Sequence, residues 1–162
     1  SKVRLSTAIY GNVLNSTGSI IPLMWDAIKK NYPLTLYSPE MTRFMITSSE
    51  AVDLVEYSLT LDGFNVIPNL KSFRVKDLFE IYSKKFNLKY TIGTPRISEK
   101  LHEMMFSEEE SPRIKYDKNY YLMHFKKTYQ ENLSFKNFTS DKVVVSKEEL
   151  VNILETHNYF QP

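Results

Sequence analysis

The sequence predicts an α/β fold in which strands alternate with amphipathic helices around an open sheet. An apolar run from Leu5 to Val13 leads into a polar turn at residues 15–19, and a helical pattern follows at once. Further strand and helix patterns alternate up to about residue 107. Because open α/β sheets bind ligands at strand-to-helix crossings, we expect a site where this first strand ends.

The first strand is predicted over residues 3–13 and the first helix over residues 19–31. Pro22 falls in the first helical turn, where its missing N–H costs no hydrogen bond. One apolar face of this helix has the spacing i, i+3, i+4 and i+7: Ile21, Met24, Trp25 and Ile28. Two short extended segments are expected next, at residues 34–37 and 43–46.

A capping box predicts the second helix, over residues 48–61. Thr47 is followed three residues later by Glu50, the spacing at which the two side chains bond reciprocally to backbone N–H groups. The buried stripe of this helix is predicted to consist of three apolar residues: Val52, Val55 and Leu59. Gly63 ends the helix, since glycine tolerates the left-handed conformation found there.

The middle of the chain continues the alternation. Extended segments are predicted at residues 64–67, 73–75 and 89–92. A helix over residues 76–86 carries four apolar side chains at helical spacing: Leu78, Phe79, Tyr82 and Phe86. A short helix is expected at residues 99–105.

The acidic run Glu108–Glu110, followed by Ser111 and Pro112, interrupts this pattern. We therefore expect two parts: an α/β part over residues 1–107 and a small C-terminal extension over residues 108–162. The extension is predicted to contain one or two strands, an extended arm and a final helix, at residues 114–125, 126–140 and 147–157. Ser146 and Glu149 have the capping-box spacing at the start of that helix.

Composition excludes several classes of protein. The 162 residues, 42% of them hydrophobic, suffice for one domain, or for one domain with a short appendage. A net charge of +2, from 21 basic and 19 acidic residues, is too balanced for a nucleic-acid-binding surface. The absence of cysteine excludes disulfides and thiolate metal sites. We find no secretory signal and no membrane-spanning run, so we expect a soluble, cytoplasmic protein.

Three short constellations are candidates for chemistry. The first is Tyr10 with Asn12, at the point where a strand end and a polar turn can present an amide and free N–H groups to a phosphate. The same residues also suit an ordinary turn, since Asn, Ser and Gly dominate turns.

The second candidate is Arg43, a lone cation in an apolar strand. A buried guanidinium needs an anionic partner. That partner is either a carboxylate of this chain or a diphosphate, to which arginine donates two parallel hydrogen bonds. The residues alone favour neither the carboxylate nor the diphosphate as the partner of Arg43.

The third candidate is Arg96 with Glu99. Arg96 is suited to binding a phosphate from a loop, and Glu99 to accepting hydrogen bonds from ribose hydroxyls. The alternative is an exposed loop followed by a solvated helix face.

In their order and spacing these segments resemble the C-terminal half of UDP-N-acetylglucosamine 4,6-dehydratases, extended short-chain dehydrogenases used in capsule and flagellin glycan synthesis. The resemblance runs from about residue 5 to about residue 110. It rests on Tyr10-Gly11-Asn12-Val13, continuing through Gly18-Ser19-Ile20-Ile21-Pro22, then on Met41-Thr42-Arg43-Phe44 and Glu99-Lys100-Leu101-His102-Glu103. The fold that it implies is the substrate-binding part of a partial Rossmann-like sheet with helices, plus the C-terminal extension.

The resemblance also implies roles for residues. Tyr10 lies beside the nicotinamide of the cofactor, while Asn12 and Arg43 contact the diphosphate of a nucleotide sugar. Arg96 and Glu99 bind the distal phosphate and the ribose.

In the same family the turn that matches Ser19 and Ile20 lies beside the uridine. The sequence departs from the family where Ile9 and Thr17 replace arginine and where Ser98 replaces glycine. Serine at position 98 is expected to alter the loop that aims Arg96 and Glu99, and the three departures bear on which sugar is bound.

The activity implied is oxidation at C4 of a UDP-hexosamine, loss of water across C5 and C6 and return of the hydride, with or without epimerisation at C5. Such chemistry uses NAD or NADP. The sequence contains neither the Gly-x-x-Gly-x-x-Gly fingerprint nor a Tyr-x-x-x-Lys pair, and Lys2 lies too close to Tyr10 to be that lysine. The chain alone is therefore not expected to be active, and whether it is an enzyme stays open.

The expected partners are a UDP-N-acetylhexosamine and a dinucleotide-binding half, on the same longer chain or on a separate subunit. An open strand edge also favours a homo-oligomer. Two rival functions remain. One is a non-catalytic interaction or oligomerisation module derived from this lobe, and the other is a UDP-sugar sensor without turnover.

Other candidate residues are interpreted structurally. Three histidines lack the spacing of metal ligands, and the run Glu108–Glu110 is expected to be solvated. The histidines are His102, His124 and His157. An aromatic group after residue 115 can stack on bases, but a half-buried strand pair or an oligomer contact is favoured. Its members are Tyr116, Tyr120, Tyr121 and Phe125.

Overall fold

The computed structural model describes residues 3–95 and 97–162. In that part of the chain the α-helices are α1 (Ile20–Lys30), α2 (Ser48–Leu59), α3 (Val75–Phe86) and α4 (Lys147–Thr156). The strands are β1 (Thr7–Ala8), β2 (Asn12–Val13), β3 (Leu34–Leu36), β4 (Thr42–Ile46), β5 (Phe64–Pro68), β6 (Ser72–Arg74), β7 (Tyr90–Ile92), β8 (Met104–Phe106), β9 (Ile114–Asp117), β10 (Tyr120–His124) and β11 (Phe138–Thr139). Helices alternate with strands up to β7, so the predicted α/β class is confirmed.

The strands form four small sheets. The largest has the order β1-β5-β10-β9, in which β1 runs parallel to β5 and β10 runs antiparallel to both its neighbours. A second sheet has the order β2-β4-β6, with β2 parallel and β6 antiparallel to β4. The other two are the parallel pair β3-β7 and the antiparallel pair β11-β8.

The single strand predicted over residues 3–13 is wrong. The segment forms β1 and β2, which belong to different sheets. The N–H of Ile9 still donates to Val66 at 2.9 Å, whereas the N–H of Leu14 donates to Ile46 at 3.0 Å. The chain therefore leaves one neighbouring strand and joins another between these two bonds, a change that the hydrophobic pattern does not encode.

Helix α1 agrees with its prediction to within one residue at each end. Ser19 is the N-cap, and Asn31 ends the helix in the left-handed conformation, with φ of 54°. Ile21 and Met24 are fully buried, as the apolar face predicted. The helix start therefore lies on the core, next to the ends of β2 and β4.

Helix α2 begins at the predicted capping box, because the Thr47 side chain accepts from the N–H of Glu50 and the Glu50 side chain accepts from the N–H of Thr47. Its predicted buried stripe is wrong. The exposed fractions are 57%, 44% and 69% at Val52, Val55 and Leu59. The helix turns Leu54 and Ser58 inward instead, where the hydroxyl of Ser6 donates to the carbonyl of Ser58.

The helix predicted at residues 99–105 is not formed. Residues 97–103 make turns and irregular backbone, and β8 follows. The carbonyl of Leu101 accepts from the N–H of Thr42 at 3.0 Å, and the N–H of Glu103 donates to the hydroxyl of Ser140 at 2.9 Å. Distant segments thus use the backbone groups that a helix would need internally.

The C-terminal segments complete both hydrophobic cores. Strand β10 lies between β5 and β9, and the ring of Phe138 packs 4.9 Å from that of Phe44. In α4, Leu150 and Leu154 are buried in the core that also contains α1 and α3. The division of the chain between residues 107 and 108 stays a prediction. Each of the two hydrophobic cores contains residues from both sides of this boundary.

Among the described residues, no helix has both the length and the apolar character needed to cross a membrane.

Candidate functional site

A cavity of about 590 Å³ lies between the N-terminus of α1, strand β3 and strand β4. Five of the seven predicted site residues line it: Asn12, Ser19, Ile20, Arg43 and Glu99. The opposite wall is mainly apolar and includes Leu23, Leu34, Leu36 and Phe79. A cavity with one apolar wall and a few polar groups on the other is typical of small-molecule sites.

At the N-terminus of α1, Ser19 and Ile20 line the cavity, and the Ser19 hydroxyl has no partner in the described residues. The hydroxyl oxygen of Ser19 is buried and makes no hydrogen bond within that part of the chain, and it does not cap the helix. The first N–H groups of a helix have no acceptor inside the helix, and Pro22 has no N–H. Since an unpaired buried hydroxyl costs free energy, Ser19 and the N–H of Ile20 are suited to a ligand oxygen.

Arg43 projects from β4 and its side chain is only 17% exposed. Its Nη1 donates to the carbonyls of Thr42, at 2.8 Å, and Leu101, at 3.3 Å. Its Nη2 donates to the carboxylate of Glu99 at 3.3 Å, and its Nε lies 3.9 Å from the carboxylate of Glu103. Of the two partners considered from the sequence, this structure therefore shows the carboxylate. Arg43 nevertheless lines the cavity, where an anionic ligand can reach it.

Sequence reasoning assigned no role to Glu103, yet this residue joins the parts of the polar wall. Its carboxylate accepts from the N–H of Phe44 at 2.8 Å and from Nδ2 of Asn12 at 3.1 Å. The side-chain amide of Asn12 also donates to the carbonyl of Phe44 at 3.0 Å. The signal that could have identified Glu103 is its place at the end of the Glu99–Glu103 motif.

A buried polar network lies beneath Arg43. The hydroxyl of Thr42 is 2.8 Å from Nδ1 of His102 and 2.6 Å from the hydroxyl of Ser140. The hydroxyl of Ser72 donates to the carbonyl of Ser140. Thr42, Ser72 and Ser140 are all buried, so these bonds connect β4 and β6 with the C-terminal segment.

Two predicted site residues fall outside this arrangement. Tyr10 is 47% exposed and is not among the residues that line the cavity. Arg96 lies outside the described residues, so its role stays a prediction.

A second cavity, of about 450 Å³, contains none of the predicted site residues. Its lining includes Glu50, Asp53 and Lys71. The Glu50 carboxylate already accepts from Thr47 in the capping box, and Lys71 pairs with Glu149. We regard the first cavity as the site because five of the predicted site residues line it.

The aromatic residues after 115 mostly pack within the chain. The ring of Tyr120 stacks on that of Tyr57 at 4.6 Å, and Tyr116 packs against Tyr121 at 5.0 Å. Burial raises the pKa of Tyr121 to about 12, and burial together with the Asp117 carboxylate raises the pKa of Tyr57 to about 12. This packing matches the half-buried strand pair that the sequence favoured.

The chain is similar to several known proteins. Residues 1–124 match the family described as "Polysaccharide biosynthesis protein". The chain is 34% identical over 155 residues to a UDP-glucose 4-epimerase of Rickettsia felis, covering 92% of this chain and 42% of that protein. It is 33% identical over 170 residues to an uncharacterized membrane protein of Methanocaldococcus jannaschii, covering 98% and 51%.

Among solved structures, the X-ray structure of Pen from Bacillus thuringiensis superimposes with a TM-score of 0.83 and 25% identity. The match covers 95% of this chain and 50% of that one. The chain thus spans about half, or less, of the length of these relatives. The matches confirm the partial Rossmann-like fold and the likeness to extended short-chain dehydrogenases that modify nucleotide sugars. The chain belongs to the polysaccharide biosynthesis protein family.

Proposed function

We propose that this chain is the UDP-sugar-binding portion of an NAD(P)-dependent nucleotide-sugar 4,6-dehydratase in polysaccharide biosynthesis. The observation that carries the proposal is the convergence of five predicted residues, from four separate segments, on one cavity. Those segments are β2, the start of α1, β4 and the loop before β8. Local sequence patterns alone do not require such convergence.

The polar wall suits a nucleoside diphosphate. Arg43 supplies a positive charge with a planar set of donors, and α1 supplies backbone N–H groups beside the hydroxyl of Ser19. The apolar wall around Leu34 and Leu36 suits the flat face of a base. Glu99, released from Arg43, is suited to accepting hydrogen bonds from the ribose.

Glu99 already neutralises Arg43, across 3.3 Å. A diphosphate must therefore displace this carboxylate or share the guanidinium with it. Nη1 already donates to two carbonyls, so an incoming diphosphate competes with Glu99 for Nη2. We infer that ligand binding exchanges one anionic partner of Arg43 for another.

The cofactor would be NAD or NADP, which supplies the hydride chemistry when bound. Of the described residues, Tyr10 is the one assigned to the nicotinamide, and its exposure leaves it free to make that contact. The sequence contains no glycine-rich loop for the pyrophosphate, so most cofactor contacts must come from another polypeptide segment.

A surface next to β1 is suited to receiving that segment. Among the described strands, β1 pairs with β5 alone, and Leu5, just before it, is 64% exposed. The outer face of α2 lies beside it, exposing Val52, Val55 and Leu59. We propose that a dinucleotide-binding half, or a second copy of this chain, covers this surface.

A second candidate activity is epimerisation at C4, favoured by the relatives described as UDP-glucose 4-epimerases. Both activities begin with the same binding step, so binding is the first property to test. Calorimetric titration of the chain with UDP, UDP-glucose and UDP-N-acetylglucosamine should show saturable binding. We expect Arg43→Ala to weaken it about 10- to 100-fold, the loss of a charged hydrogen bond of about 1.5–3 kcal/mol.

The matched control is Arg113→Ala, in the turn Ser111–Arg113, where the arginine pairs with Glu110 at 3.7 Å. This variant should bind as the wild type does. Tighter binding of UDP-N-acetylglucosamine than of UDP-glucose favours the dehydratase, and the reverse order favours the epimerase. If none of the three ligands bound, the proposal would be wrong and the non-catalytic interaction module would be favoured.

A further inference from the structure

Two backbone carbonyls from different segments orient the guanidinium of Arg43. Its Nη1 donates to the carbonyl of Thr42 on β4, at 2.8 Å, and to the carbonyl of Leu101, at 3.3 Å. Residues 97–103 form turns and irregular backbone, so the position of Leu101 depends on bonds to other segments. One of these is the bond from the N–H of Thr42 to the carbonyl of Leu101, at 3.0 Å.

Ser140 bonds to both segments. Its N–H donates to the carbonyl of Glu103 at 2.9 Å, and its hydroxyl accepts from the N–H of Glu103 at 2.9 Å. The same hydroxyl lies 2.6 Å from the hydroxyl of Thr42 and 3.3 Å from the carbonyl of Thr42. One side chain therefore contacts β4 next to Arg43 and also contacts the segment that contains Leu101.

Ser140 is itself fixed to the core. It is fully buried, and the hydroxyl of Ser72 on β6 donates to its carbonyl. Phe138, two residues before it, pairs with Phe106 on β8. The carbonyl of Val143, three residues after it, accepts from the N–H of Ser72 at 3.0 Å. Because buried hydrogen bonds of this kind hold one geometry, Ser140 is a fixed point for both segments.

The segment that contains Ser140 is separate from the parts of the chain already assigned to the site. It lies beyond residues 1–124, which match the family. Among the described residues that line the cavity, Glu99 is the last in the chain. Any contribution of Ser140 to ligand binding must therefore pass through the residues that it holds.

We propose that Ser140 is a positioning residue for the guanidinium of Arg43. It holds residues 97–103 on β4, so that the two carbonyls that orient Arg43 keep a fixed distance from one another. The C-terminal extension is then a functional part of the binding lobe. This inference rests on the proposed function, because it assigns a further residue to the same site.

The affinity of Ser140→Ala for UDP tests the proposal, measured by titration calorimetry at a temperature at which each variant is folded. Without the hydroxyl, the N–H of Glu103 loses its acceptor and Thr42 loses one contact, so Arg43 is no longer held in one orientation. We expect UDP to bind about three- to tenfold more weakly, the worth of one hydrogen bond.

A double-mutant cycle shows whether the loss passes through Arg43. In an Arg43→Ala background, Ser140→Ala should weaken the binding of UDP by less than about twofold, because the group that it positions is gone. An equal loss in both backgrounds would mean that Ser140 acts on another group. An unchanged affinity in the single variant would mean that it positions nothing. Either result overturns the proposal.

Tyr82→Phe is the matched control. The buried hydroxyl of Tyr82 also donates to the C-terminal segment, at the carbonyl of Tyr159, but Tyr82 is not among the residues that line the cavity. This variant should lower the unfolding temperature and leave the affinity for UDP unchanged. A loss of affinity as large as that of Ser140→Ala would show that reduced stability explains both variants, and it would overturn the proposal.

Amide hydrogen exchange tests the same contact without a ligand. The N–H of Thr42, which donates to Leu101, should exchange faster in Ser140→Ala than in the wild type, while the N–H groups of α1 stay unchanged. Unchanged exchange at Thr42 would show that Ser140 does not hold the two segments together. If the wild-type chain binds no UDP, the proposed function itself fails, and exchange at Thr42 still decides whether Ser140 holds this contact.

A second variant serves if Ser140→Ala does not fold. Ser72→Ala keeps the hydroxyl of Ser140 but removes the donor to its carbonyl. It should weaken the binding of UDP and speed the exchange of the Thr42 N–H, each by less than is expected for Ser140→Ala. No change in either measurement would reject the positioning role.

Discussion

Arg43 and Glu99 face one another at the polar wall of the cavity, with Nη2 and Oε1 3.3 Å apart. Their side chains are 17% and 26% exposed, so solvent screens the pair only partly. The cation that we assign to the diphosphate thus has a carboxylate of the same chain beside it.

This contact predicts that Glu99 and an anionic ligand compete for the guanidinium of Arg43. Glu99→Gln should tighten the binding of inorganic pyrophosphate about two- to tenfold, because the ligand no longer displaces a carboxylate from Arg43. Pyrophosphate has no ribose, so the role of Glu99 toward a nucleoside does not enter the measurement. Titration calorimetry of the two proteins checks this, and an unchanged or weaker affinity would contradict the exchange of anions.

Ser140 should be important for stability. Its hydroxyl contacts the hydroxyl of Thr42 at 2.6 Å and accepts from the N–H of Glu103 at 2.9 Å. Ser140→Ala leaves the N–H of Glu103 without this acceptor and removes one of the hydrogen-bond contacts of the Thr42 hydroxyl, which also contacts His102. We expect the free energy of unfolding to fall by about 1–3 kcal/mol in urea titrations. Ser111→Ala, which removes an exposed bond to the carbonyl of Glu108, should cost less than about 0.5 kcal/mol. Equal costs would show that the buried network contributes no more than a surface bond.

Gly11 is required by a close approach of two strands. A Cβ atom there would lie 2.6 Å from Cβ of Phe44, which is itself fully buried on β4. Gly11→Ala should push β2 away from β4 and lower the free energy of unfolding by about 1–3 kcal/mol. At Gly18 a Cβ meets nothing within 4 Å, although φ is +77°, so alanine there costs only about 1–2 kcal/mol of backbone strain. We expect Gly11→Ala to lower both the unfolding temperature and the affinity for the ligand relative to the wild type, because β2 carries Asn12. Thermal unfolding and titration calorimetry check the two effects.

His124 should make stability depend on pH. Burial, followed by the nearby positive charges of Lys127 and Lys115, lowers the pKa of His124 from its ordinary 6.5, despite the opposing effect of Asp62. Its Nδ1 also accepts from the N–H groups of Lys126 and Lys127, both at 2.9 Å, which a protonated ring cannot do.

The sign follows from proton uptake. Above 6.5 the ring is neutral in the folded and unfolded states, so it adds no pH dependence. Below 6.5 the unfolded chain binds the proton first, and the free energy of unfolding decreases until the lowered pKa of the folded state is passed. His124→Asn keeps an acceptor without a titrating group. Its urea midpoint should therefore fall less than that of the wild type between about pH 7.5 and about pH 5.5.

The outer face of α2 should promote association of the isolated chain. Val52, Val55 and Leu59 lie beside the open edge of β1, and they have no cover in the described part of the protein. Light scattering should show species larger than the monomer, and Leu59→Lys should reduce them while changing the free energy of unfolding by no more than about 0.5 kcal/mol. A wild-type chain that stays monomeric at high concentration would contradict this.

The sequence by itself predicted the elements whose signals are local. The capping box of Thr47 and Glu50, the apolar face of α1 and the strand pair at residues 114–125 involve residues close together in the chain, and all three were found. The order of helices and strands is also predicted from patterns of residues that are close together in the chain. Residue types and their places in the pattern also marked Asn12, Arg43 and Glu99 as candidates, and the family resemblance added Ser19 and Ile20.

Tertiary structure alone decided which of two helical faces α2 buries, because the stripe through Val52 and Val55 and the stripe through Leu54 both have helical spacing. It also decided that residues 99–103 bond to distant strands and do not form a helix. Glu103 reaches Asn12 across 91 positions and Ser140 across 37. No periodicity can report contacts of that separation, since they exist only when the sheets, the loop and the C-terminal segment pack together.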